Sequence, residues 1–185
     1  MTEFTIHTIE SAPAEARGAL EAARQKFGFL PNLLGELAAA PSALKGYLAL
    51  GELLSESSLG PIEQQIVLIA ASLENGCNYC VAAHSAGLKA SGGADDQIDA
   101  VRSGLPLTDP KLEALRTFTT AIVKRRGLVT DAELQQFLGA GYAREQVFDV
   151  LLGVAMKTLS NYTNHIAHTP LDRPLKAFEW EPAHP

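Results

Sequence analysis

Proline and glycine divide this chain at intervals that suit helices. Pro13 opens "PAEARGALEAARQKFG", a stretch rich in Ala, Glu and Arg that closes at Gly28. Proline fits a first helical turn, where its missing N–H has no partner to lose, and glycine fits the left-handed residue that ends a helix. Pro41 separates "NLLGELAAA" from "SALKGYLALGELLSES", and Pro61 stands where a first helical residue would open "PIEQQIVLIAASLENG". In that segment Ile62, Ile66, Ile69 and Leu73 recur at spacings of four, three and four, the stripe of one helix face. Asn75-Gly76 ends it. After "CNYCVAAHSAGLKAS" come a Gly-Gly break and a short "ADDQIDAVRSG". Asp109-Pro110 caps "PKLEALRTFTTAIVKRRG", whose Leu112, Leu115, Phe118 and Ile122 share a face. Thr130 with Glu133 has the capping-box spacing, and "AREQVFDVLLGVAMKTLSNYTNHIAH" reads as one long helix up to Pro170.

No segment alternates as a strand would, and Asn75-Gly76 lies between two helical patterns rather than two β-branched runs. The expectation is an all-α fold with about eight to ten helices in one domain, residues 1–185. Residues 171–185, which carry Pro174, Pro182 and Pro185, are expected to form an irregular or extended arm. The length is ample for a continuous core.

Composition narrows the partners. The formal net charge is −6, and no basic block is longer than Lys124–Arg126. Such a surface repels phosphate backbones and anionic lipid, so neither nucleic acid nor a membrane is expected as a partner. "MTEFTIHTIESAP" has no basic n-region and no apolar h-region, and no apolar run is long enough to span a bilayer. A cytoplasmic location is the expectation. Thiols are kept reduced there, so a CxxC pair is catalytic or metal-binding more readily than a structural staple.

Both cysteines of the chain sit in "NGCNYCVAAH". Three residues advance a helix by about 300° and seven by about 700°, so Cys77, Cys80 and His84 fall within an arc of about 60°. The positive end of a helix starting near Gly76 and Cys77 favours thiolate, and a nearby imidazole can accept or return a proton. One thiolate could attack an oxidant and the other close the disulfide. Zinc is an alternative, with His84 and one of His7, His165, His168 or His184 completing the ligands, although no second CxxC exists. Two inert buried cysteines are another.

The stretch "PIEQQIVLIAASLENGCNYCVAAHSAGL" resembles the carboxymuconolactone decarboxylase superfamily in its alkylhydroperoxidase-like (AhpD-like) branch. "KLEALRTFTTAIVKRRG" and "VLLGVAMKTLSNYTNHIAHTPLD" also resemble peroxidase-related members, so most of the chain after residue 25 is covered. The resemblance implies an AhpD-like helical domain and a thiol peroxidase. Cys80 would attack the hydroperoxide, Cys77 would resolve it, and His84 would take part in proton transfer. It implies an external dithiol as reductant, a homo-oligomer (trimer or hexamer), and neither a cofactor nor a metal. Members named for decarboxylation generally lack the CxxC pair, so its presence favours the redox branch.

Two positions depart from the family pattern. Gln65 stands twelve residues before Cys77, where the relay often has a glutamate, and Tyr79 stands between the cysteines where the best-known members carry a histidine. Glutamine can orient an imidazole but cannot take up a proton at neutral pH. Glu63 and Glu74 are turned well away from Gln65 on the same helix. Two other functions remain open at this point: a lyase using His84 alone, and a non-enzymatic redox-sensing oligomer.

His165 and His168, three apart in "NYTNHIAH", could share a ligand or serve as polar contacts near a helix end, with Asn161 and Asn164 satisfying backbone or partner groups. The same segment could instead pack over the CxxC helix. Trp180, the single tryptophan, could dock on a neighbouring subunit or pack within its own chain. Phosphate-binding glycine loops, GxSxG and HExxH are absent.

Overall fold

The computed structural model describes residues 4–181, so His184, Pro182 and Pro185 lie outside the described residues. Among these residues nine α-helices follow one another: α1 (Ala14–Phe27), α2 (Asn32–Leu37), α3 (Pro41–Ser55), α4 (Pro61–Glu74), α5 (Asn78–Ala90), α6 (Asp95–Arg102), α7 (Pro110–Arg125), α8 (Asp131–Gly139) and α9 (Arg144–Ala167). A 3-10 helix, Arg173–Phe178, follows them, and no strand occurs among the described residues. The fold is all-α, as the punctuation requires.

The boundaries have identifiable causes. Pro41, Pro61 and Pro110 occupy first helical turns, and the Asp109 carboxylate accepts from the N–H groups of Lys111 and Leu112. Thr130 and Glu133 form the reciprocal capping box. Gly28 ends α1 in the left-handed region at φ 78°.

Helix α4 lies at the centre, packed against α5, α7 and α9. Its Ile66, Val67 and Ile69 meet Leu88 of α5, Leu115, Phe118 and Ile122 of α7, and Val150 of α9 in the main core. Beyond them the rings of Phe118, Phe137 and Tyr142 stack at 4.3 and 4.5 Å. A second core gathers Leu20, Leu33, Leu34, Leu37 and Leu44, and it includes Cys77, Tyr79 and Cys80. The cysteines are therefore part of a packed interior, not a surface loop.

The approach of α9 to α4 depends on Gly153, where a Cβ would stand 2.7 Å from Val67 Cγ1. One turn further along α9, Lys157 is thereby carried into the interior, with no exposed surface. The expected irregular arm differs from the observed segment: Arg173–Phe178 form a 3-10 helix packed on α5, with Asp172 and Leu175 buried. Trp180 is half-buried in its own chain. Among the described residues no helix is long and apolar enough to cross a membrane.

Candidate active site

Cys77 is the N-cap of α5, in extended conformation at φ −93° and ψ 95°. Its N–H donates to Ser72 O (2.9 Å) and its carbonyl accepts from Val81 N (3.0 Å), which sets Cys80 in the first turn. Both cysteines are free thiols with 1% exposure. Helix α9 covers them with Lys157, Ser160, Asn161 and Asn164, all buried and all on one helical face. Asn164 Nδ2 donates to Cys80 Sγ at 3.2 Å and to Cys77 Sγ at 3.5 Å. Ser160 Oγ lies 3.6 Å and Lys157 Nζ 3.7 Å from Cys80 Sγ.

The histidine completes the cluster. His84 Nδ1 donates to Gln65 Oε1 at 3.0 Å, which leaves Nε2 as the acceptor of a 2.6 Å hydrogen bond from Lys157 Nζ. Gly87 makes room for this arrangement, since a Cβ there would stand 2.6 Å from Gln65 Oε1. Tyr47 of α3 closes the far side, its ring centroid 5.8 Å from Lys157 Nζ.

Charge separates the two thiols. Burial pushes the Cys80 thiol up, but the hydrogen bond from the Cys77 thiol, the Lys157 ammonium, Ser160 and Asn161 outweigh it and bring Cys80 down to about 5. Cys77 moves the other way, held protonated by its hydrogen bond to Cys80 and by burial. Burial and the Lys157 charge push His84 well below its ordinary value, so it is neutral. Burial also disfavours the charge on Lys157, yet the neighbouring Cys80, Tyr47 and Cys77 raise its pKa. The result is a buried ammonium–thiolate pair with a second thiol beside it. Such a site can attack an electrophile through Cys80 and close a disulfide through Cys77.

All four residues singled out by sequence, Cys77, Cys80, His84 and Gln65, come together here. Tyr79 does not join them: its hydroxyl donates to the Asp172 carboxylate, within reach also of Leu33 N at 3.5 Å. His165 and His168 are exposed and His7 bonds to Ser11, so none of these three turns to the thiols. Among the described residues no cluster of three or more His, Cys, Asp or Glu is placed to hold a metal ion. Sequence reasoning missed Lys157, Ser160 and the thiol-facing role of Asn164. A signal existed, because Gly153, Lys157, Ser160, Asn161 and Asn164 recur at helical spacing as a small or polar face.

The model of the carboxymuconolactone decarboxylase family matches residues 41–106, which contain Gln65, Cys77, Cys80 and His84. No curated protein matches the chain. Among solved structures, an alkylhydroperoxidase AhpD core, a peroxidase-related protein from Ralstonia eutropha JMP134, superposes with TM-score 0.83 at 22% identity, covering 94% of this chain and 93% of that one. A peroxidase-related protein from Silicibacter sp. TM1040 gives TM-score 0.80 at 18% identity over 94% and 92%. The debrominase Bmp8, solved apo and as a cysteine-to-alanine variant with 2,3,4-tribromopyrrole, gives 0.81 at 15% identity over 96% of each chain. At these identities the likeness is one of fold.

Proposed function

We propose that this chain, whose residues 41–106 match the carboxymuconolactone decarboxylase family and whose fold is that of AhpD-like proteins, is a CxxC-dependent peroxidase that reduces small hydroperoxides. The observation that carries this reading is the polarised dithiol: Cys80 held as thiolate against Lys157, with the proton kept on Cys77. Cys80 Sγ attacks the terminal peroxide oxygen, the O–O bond breaks, and Cys80 becomes a sulfenic acid while the alkoxide leaves as alcohol. Cys77 then displaces hydroxide from the Cys80 sulfur, giving a Cys77–Cys80 disulfide and water. An external dithiol restores both thiols by exchange.

Asn164 supports a peroxide as the occupant. Its Nδ2 donates to both sulfurs, while its Oδ1 is buried and has no hydrogen-bond partner among the described residues. A hydroperoxide carries one O–H, the donor that this acceptor lacks. His84, fixed between Gln65 and Lys157, belongs to the proton-transfer network. The reading includes a homo-oligomer, trimer or hexamer. Phe148, Tyr162 and Ile166 of α9, exposed by 70%, 53% and 65%, are apolar surface that such an assembly can cover.

Cys80→Ser is expected to abolish hydroperoxide-dependent oxidation of an added dithiol; unchanged turnover in that variant rejects the assignment. Lyase activity that survives Ala at both Cys77 and Cys80 would point instead to chemistry on His84 alone. The likeness to Bmp8 over 96% of both chains supports a second reading for the same dithiol, reductive debromination. There the C–Br bond becomes C–H, bromide and a proton leave, and the two thiols become one disulfide. Bromide release from 2,3,4-tribromopyrrole, compared with turnover of a hydroperoxide, separates the two.

A further inference from the structure

We propose that Lys157 is the general acid of the peroxide step, giving the proton on its Nζ to the alkoxide oxygen as it leaves Cys80. The inference rests on the peroxidase reading and assigns a donor that the reading leaves open.

Position narrows the choice of donor. Around Cys80 Sγ stand the Cys77 thiol, the Ser160 hydroxyl, the Asn164 amide and the Lys157 ammonium. Cys77 is held protonated by its hydrogen bond to Cys80 and by burial, and a hydroxyl or an amide is a weaker acid than an ammonium. His84 is the obvious candidate by analogy with other thiol enzymes, but its single ring proton is on Nδ1, committed to Gln65. Its Nε2 accepts from Lys157. The imidazole therefore aims the lysine and cannot itself protonate the product at that nitrogen. Gln65, which has no proton to exchange, stands where a carboxylate would have drawn His84 toward imidazolium.

Charge accounting then fixes when the proton moves. Before reaction the thiolate of Cys80 and the ammonium of Lys157 neutralise each other, both side chains buried. Attack turns the thiolate into a neutral sulfenic acid and transfers its negative charge to the alkoxide. A Lys157 that stayed charged would then be an unpaired cation with no exposed surface, the arrangement a buried lysine avoids by deprotonating. Thiolate, ammonium and ROOH thus become sulfenic acid, neutral amine and ROH. Disulfide closure releases water and leaves the amine neutral. The incoming dithiol brings two protons, of which one returns to Cys77 and the other to Lys157. The sum is one hydroperoxide and one dithiol giving an alcohol, water and a disulfide.

The test compares an oxidant whose leaving group needs a proton, tert-butyl hydroperoxide, with one whose leaving group does not, peracetic acid. Single-turnover oxidation is followed in the full chain, and the Cys80 thiolate fraction is read independently from alkylation by iodoacetamide against pH. That profile senses every titratable group facing Lys157, namely Cys80 and His84 of α5, Cys77 and Tyr47 of α3. After correction for thiolate fraction, Lys157→Met is expected to slow tert-butyl hydroperoxide by about 10²–10⁴-fold while peracetic acid stays within about tenfold. Lys157→Arg is expected to keep the alkylation profile of the wild type yet remain slow with tert-butyl hydroperoxide, because a guanidinium holds its proton. It supplies the same comparison if the Met variant does not fold. Equal slowing of both oxidants in both variants overturns the proposal. A wild type inert to both oxidants would refute the peroxidase reading and the acid role together, whereas a Lys157→Met alkylation profile identical to wild type refutes the lysine–thiolate pair and the acid role built on it, leaving the peroxidase reading in place.

Discussion

At Cys80 two opposing influences act on a single proton. Burial favours the thiol, while hydrogen bonds and the Lys157 charge favour the thiolate, and the second group prevails. The sign of the pH dependence follows. Cys80 alkylation should be lost as pH falls through about 5 and should be at its plateau by neutral pH. Cys77, shifted upward, stays protonated through the same range. Alkylation at neutral pH followed by mass spectrometry is expected to mark Cys80 first; a midpoint in the ordinary thiol range, about 8.5, would refute the polarised pair. The cysteines and His84 were readable from spacing because their proximity is a property of one helix. Lys157 was not, since it arrives 77 residues after Cys80 by the packing of a different helix.

On the scale of elements, the site is a joint between α4, α5 and α9, and glycines set its clearances. Gly153 lets α9 close on Val67, while Gly87 leaves space for the Gln65 amide. Gly87→Ala puts a methyl against Gln65 Oε1, so the amide must swing and release His84 Nδ1. Thermal stability should change little, because the amide is movable and alanine favours the helix. Hydroperoxide turnover should drop about 10–100-fold as the His84–Lys157 alignment loosens. Full activity in this variant would show that the Gln65–His84 bond is dispensable. Helix limits were legible because Pro, Gly and capping side chains act locally. The inward face of α9 was partly legible: its polar spacing is visible, but what it meets is not.

In the whole molecule, the C-terminal segment straps the dithiol helix to α2. Asn32 N donates to Asp172 Oδ1 at 3.1 Å, Asn32 Nδ2 to Pro170 O at 3.0 Å, and Thr169 Oγ1 to Glu36 Oε2. Tyr79, between the two cysteines, ties in through Asp172. Tyr79 is thus a structural anchor, turned away from the thiols. Tyr79→Phe is expected to destabilise the fold by about 1–2 kcal/mol in denaturant titration, since Asp172 stays buried with one donor fewer. Earlier proteolytic cleavage after Pro170 should accompany it; wild-type stability and cleavage would remove the strap from the account. Nothing local in "TPLDRPLKAFEW" announces this docking, because its partner lies 93 residues upstream of Asp172. For that reason the segment read as an irregular arm.

The account stands most directly on what happens to Cys77 and Cys80 when the reduced protein meets one equivalent of cumene hydroperoxide. Mass spectrometry of the quenched protein should show loss of two hydrogens, a Cys77–Cys80 link in the peptide map, and full reversal by dithiothreitol. Persistence of both thiols, or oxidation of Cys80 to the sulfinic acid with Cys77 untouched, would contradict it.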